Sequence, residues 1–151
     1  MLPTCATRAT RRVFKPIGGI LLIDDAYNAS PESVRCALRF LSAQAIGRRV
    51  LLLGDMLELG KDSAFLHTEI GKEAAACADI VFFYGAYRDA YVQGAHKIKG
   101  GARIHPLHSQ SEEDAAREML PYLKAGDTVL FKSSNKGGAK KIFEHLRSLL
   151  S

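Results

Sequence analysis

Three short polar stretches hold the residue types that do chemistry. Asp24 and Asp25 stand together after an apolar run, with Asn28 close behind. Such a pair orients a ribose hydroxyl or a metal-bound water, or else one acid caps a turn while the other stays solvated. The Asn28 amide donates and accepts at once, which suits a purine edge, a peptide or an Asx-turn. Asp55 and Glu58 lie in a loop bracketed by Gly54 and Gly60. They are either a general acid-base pair or surface acids. His67 follows on a helix, as a catalyst or as a packing group. Lys132 and Ser134 can bind a carboxylate, Lys136 adds positive field, and Gly137-Gly138 follow. The alternative there is a solvated basic loop.

The elements around these stretches place them together. Ile20–Ile23, Val50–Leu53, Ile80–Tyr84 and Thr128–Phe131 are short apolar runs of the kind buried on both faces of a parallel sheet. A weaker strand spans Arg103–Leu107, with Pro106 placing it at an edge. Helices are predicted between them. One starts at Ser30-Pro31 and runs to residue 45. A second starts near Asp62 or Ser63 with Leu66, Ile70, Ala74 and Cys77 on its buried stripe. Others cover about 86–95, a segment from a capping box at Ser109–Glu112 to about 124, and the C-terminus. Strands alternating with helices give a doubly wound, mostly parallel α/β sheet with helices on both faces, a three-layer, Rossmann-like arrangement. In such sheets ligands bind beyond the carboxyl ends of the strands. All three polar stretches fall there, which makes that rim the candidate site.

The 151 residues suffice for one domain, taken as 17–151, with 1–16 as an N-terminal extension or interdomain linker. The first 15 residues hold four basic residues and no acid, a composition shared by short transit peptides and by plain linkers. The net charge is +5, yet no aromatic residues interleave with the N-terminal basic group, so nucleic-acid binding is not expected; a moderately basic balance fits an anionic small substrate equally well. No apolar run approaches the roughly 18 residues of a membrane span. Cys36 and Cys77 read as reduced core thiols of a cytoplasmic protein. No GxxxxGK[ST] phosphate loop, GxGxxG turn or nucleophile elbow occurs.

Three of these segments, with a histidine between them, carry a resemblance. "LIDDAYNASPESVRCAL", "VLLLGDMLELG", the His in "HTEIG" and "GDTVLFKSSN" resemble the C-terminal domain of the Mur ligases, in the branch that joins D-alanyl-D-alanine to UDP-N-acetylmuramoyl-tripeptide. The similarity runs over roughly 11–151. It implies an ATP- and Mg2+-dependent carboxylate-amine ligase of peptidoglycan synthesis, whose central domain holds most of the nucleotide and the metal and whose first domain holds the UDP-sugar peptide. By that resemblance a chain with neither domain is not expected to be active alone. By resemblance Asp25, Tyr27 and Asn28 approach the nucleotide. Asp55, Met56, Glu58, Leu59, His67, Lys132, Ser134 and Asn135 approach the dipeptide. No catalytic or metal-binding residue is implied here. The last motif reads KSSN where the family tends to KGSR, so Asn135 replaces a cation and Ser133 a glycine, and Ser30 replaces an asparagine. Against this stands a free-standing Rossmann-like module that binds a nucleotide or peptide without catalysis.

Overall fold

The computed structural model describes residues 11–44 and 46–151. Six strands form one sheet: β1 (Arg12–Val13), β2 (Leu21–Asp24), β3 (Arg49–Leu53), β4 (Ile80–Phe83), β5 (Arg103–Pro106) and β6 (Thr128–Lys132). Their spatial order is β1-β2-β6-β3-β4-β5. All neighbours pair in parallel except β1, which runs antiparallel to β2 with Arg12 opposite Asp24. Four helices connect them, α1 (Pro31–Gln44), α2 (Ser63–Cys77), α3 (Arg88–Ala95) and α4 (Glu112–Met119), and α5 (Ala139–Leu150) follows β6. The doubly wound, three-layer expectation therefore holds.

The layers follow from strand alternation. Ile23, Leu51, Leu53, Val81, Phe83 and Leu130 point to the face covered by α1, α2 and α3. Leu22, Val50, Leu52, Phe82, Val129 and Phe131 point to the face covered by α4 and α5. Both faces are buried, which is why these strands are continuous apolar runs.

Four local outcomes differ from the sequence reading. The sheet takes in Arg12–Val13, which the reading gave to a linker, and Phe14 packs on Phe143 with ring centroids 5.0 Å apart. The rest of the expected extension lies mainly outside the described residues. The α2 stripe is rotated: Ser63, His67, Ile70, Gly71 and Ala74 are buried and Leu66 is not. The cause is α3, whose backbone presses on α2 so closely that a Cβ on Gly71 would strike the Tyr91 carbonyl and one on Gly94 the Thr68 carbonyl. Helix α4 is capped by Ser111, whose Oγ accepts the Asp114 amide at 3.1 Å, while Ser109 donates to Glu118 at 2.6 Å. Pro121 then tightens the chain into a 3-10 turn at Leu120–Tyr122 instead of continuing the helix to 124. Cys36 is disulfide-bonded and Cys77 is free. The bond at Cys36 departs from the reduced thiol expected there, because a missing CxxC spacing says nothing about cysteines distant in sequence, while Cys77 is free as expected.

Candidate functional site

Strand β6 lies between β2 and β3, so three strand ends that are distant in sequence open side by side. Each feeds one of the polar stretches. After β2 the chain turns through Asp25–Ala29 into α1, and Ser30 and Ser33 cap each other. The Ser33 amide donates to Ser30 Oγ at 3.1 Å and the Ser30 amide to Ser33 Oγ at 2.8 Å.

Ser134, just after β6, ties the three stretches together. Its amide donates to the Asp55 carbonyl at 3.0 Å. Its hydroxyl accepts the Leu57 amide at 2.8 Å and donates to the Ala29 carbonyl at 3.4 Å. The glycines allow this approach: a Cβ on Gly54 would sit 2.5 Å from the Gly137 carbonyl and 2.7 Å from Ser133 Cβ.

The Gly54–Gly60 loop is fixed from below. The Met56 amide donates to His67 Nε2 at 3.0 Å, and His67 Nδ1 lies 2.7 Å from the Ser63 carbonyl. Nε2 is thus the bare nitrogen and Nδ1 carries the proton. The ring is stacked on Tyr87 and edge-on to Tyr91. Burial lowers its pKa against the opposing hydrogen bond to Ser63. The Asp55 carboxylate accepts the Ala86 and Tyr87 amides, both at 2.9 Å. Tyr91 donates to the Gly54 carbonyl at 2.7 Å. At the crest Glu58 is held at φ 62°, the described non-glycine residue with positive φ.

Beneath the β2 and β6 ends is a cluster of charges. Asp25 is fully buried, with Arg11 3.1 Å from Oδ2 and Lys132 3.3 Å from Oδ1. Asp24 meets Arg12 at 2.6 Å and Lys140 at 3.6 Å. Arg11 also lies over the Phe40 ring. Lys132 is 1% exposed; burial lowers its pKa and Asp25 opposes that. Two carboxylates among four cations leave an excess of positive charge under the rim, which favours an anionic ligand above it.

Over this base opens a cleft of about 290 Å³. Tyr27 and Asn28 enter it from the first stretch, Leu57 and Glu58 from the second, and Ser134, Asn135 and Lys136 from the third. The sequence matches the family model described as Mur ligase, glutamate ligase domain, over residues 10–135. The chain belongs to the Mur ligase family. It is 33% identical over 136 residues to the UDP-N-acetylmuramoyl-tripeptide–D-alanyl-D-alanine ligase of Bacillus subtilis, covering 89% of this chain and 29% of that one. The Treponema pallidum enzyme of the same name is 30% identical over 149 residues, 93% of this chain and 32% of its own. Among solved structures, MurF ligase from Thermotoga maritima in complex with ADP superposes with a TM-score of 0.70 and 28% identity, over 99% of this chain and 32% of that one. MurF from Acinetobacter baumannii gives 0.75 and 25%, over 91% and 30%. The chain thus spans about a third of the length of these relatives.

Within the family frame, the expected site residues divide into two groups. Tyr27, Asn28, Glu58, Ser134 and Asn135 line the cleft. Asp25, Met56, His67 and Lys132 are buried beneath it, Leu59 packs against the core, and the Asp55 carboxylate is spent on the turn into α3. Asp24 caps its turn, its Oδ1 accepting the Ala26 amide at 3.1 Å, but neither acid is solvated: both are locked in ion pairs. The residues do not fit a magnesium ion. Among the described residues no group of three or more His, Cys, Asp or Glu converges, and both paired acids already face cations. Arg11 was not assigned to the site, Leu57 entered only as part of the Gly54–Gly60 loop, and Lys136 was expected only to add positive field. The signal for Arg11 was available: a basic pair at 11–12 answers an acidic pair at 24–25, as the antiparallel register requires. The described helices include none long and apolar enough to cross a membrane.

Proposed function

We propose that this chain is the part of an ATP-dependent ligase that closes over nucleotide and incoming dipeptide while D-alanyl-D-alanine is joined to UDP-N-acetylmuramoyl-tripeptide. The observation that carries this reading is the cleft itself, built from the three resembling segments and from little else. ATP and Mg2+ supply an activated carboxyl group on the tripeptide, held by the domains that fill the remaining length of the relatives. This chain offers orientation and exclusion of water. Tyr27, 64% exposed, offers a ring face to a base, and the Asn28 amide offers a donor and an acceptor. Asp25 acts indirectly, by holding Arg11 and Lys132 in place. UDP-linked precursors and ATP place the work in the cytoplasm.

The test is reconstitution. Joined to the other two domains, the chain is expected to support ADP release that requires both tripeptide and dipeptide, and alone to give none. ATP turnover by the chain alone would contradict this reading.

A further inference from the structure

We propose that the cleft is a zwitterion seat in which Lys136 holds the carboxylate of the incoming dipeptide and Glu58 its ammonium group. The inference rests on the function proposed above and assigns the two ends of the ligand to individual side chains. Among the cleft residues, one acid and one cation face the space: Glu58 and Lys136. The others are neutral, with amides at Asn28 and Asn135, a hydroxyl at Ser134, and Tyr27 and Leu57 as apolar wall. A peptide with both termini free carries one charge of each sign and matches that pairing.

Size points the same way. Ligand sites ordinarily run from roughly 300 to 1,000 Å³. At about 290 Å³ the cleft is of a size for a dipeptide.

Lys132 does not take the carboxylate, because it is sealed 3.3 Å from Asp25 with 1% exposure. Lys136 is exposed and lies two residues beyond the Ser134 knot. Its amine therefore stands on the loop that Ser134 ties to the Glu58 loop, through Leu57. The backbone of Glu58 supports a ligand role. A carboxylate residue held at φ 62° is in a conformation that side chains of this kind rarely adopt, and such positions cluster at ligand clamps.

The experiment titrates the chain, followed by NMR, with D-alanyl-D-alanine, its C-terminal amide and its N-acetyl derivative. The native chain is expected to prefer the free dipeptide over each capped form by about tenfold, the scale of one charge-assisted contact. Lys136→Gln removes the preference over the amide and leaves that over the N-acetyl form. Glu58→Gln does the reverse. Both positions face solvent, and thermal unfolding checks that each variant is folded. Equal binding of all three forms, or uniform weakening by both variants, overturns the zwitterion seat while leaving the dipeptide site standing. A chain that binds none of the three contradicts the dipeptide reading and this inference with it.

Discussion

The Met56 amide donates to Nε2 of His67 at 3.0 Å, and both residues are fully buried. The loop that forms one wall of the cleft is therefore pinned by a neutral imidazole. The folded pKa lies below the ordinary histidine value because burial disfavours the charged ring. The unfolded chain takes up a proton first, so the stability from this group is fully present above about pH 6.5 and declines as pH falls towards the folded pKa. Denaturant unfolding between neutral and mildly acid pH is expected to show that decline. His67→Gln, which keeps an acceptor for Met56, flattens its share of the slope. Part of the slope persists in the variant, because the His105 pKa is lowered too.

The buried charges predict an asymmetry. Asp25→Asn leaves Arg11 and Lys132 without their shared anion and should cost about 3–5 kcal/mol. Lys132→Met leaves Asp25 paired with Arg11 and should cost clearly less. The double variant should fall short of the sum, since the two residues are in contact. Urea midpoints measure all three, and equal costs for the two single variants would contradict the shared-anion arrangement.

Two loop glycines separate steric from conformational cost. Gly60 has φ 66° and open space around its missing side chain, so Gly60→Ala pays only for the left-handed backbone, about 1 kcal/mol. Gly54→Ala drives a methyl group into the Gly137 carbonyl and Ser133 and should cost more, about 2–3 kcal/mol, as the loops part. Comparing the unfolding free energies of the two variants decides the order.

Glu58→Gly should show stability and binding opposed. Glycine relieves the positive φ and raises stability by about 0.5–1 kcal/mol, while the missing carboxylate weakens dipeptide binding. A variant that is both destabilised and unimpaired in binding would contradict the strain argument.

Much of the fold is legible in the sequence, for physical reasons. Runs such as Val50–Leu53 and Ile80–Phe83 are apolar without alternation because both faces of the sheet are covered, and that alone implies the layers. The rim followed from strand direction, which puts residues 24–30, 54–61 and 132–135 at one end. What stayed hidden was which polar side chains look outward. Lys132 continues a strand whose pattern cannot separate a buried charge from an exposed one, and only the Asp25 contact decides it. Residue type left His67 open between a packing group and a catalyst, because its partner, a backbone amide eleven residues earlier, leaves no mark in composition. The two-residue strand at Arg12–Val13 was too short for any periodicity to show.

The most direct test of the central claim is to titrate D-alanyl-D-alanine into the isotopically labelled chain and follow its backbone amides. Binding in the cleft predicts shifts concentrated at Tyr27–Asn28, Leu57–Glu58 and Ser134–Lys136. Shifts centred instead on the groove between α1 and α2, around Arg35, Glu73 and Cys77, or no shifts at all, would contradict the assignment of the rim.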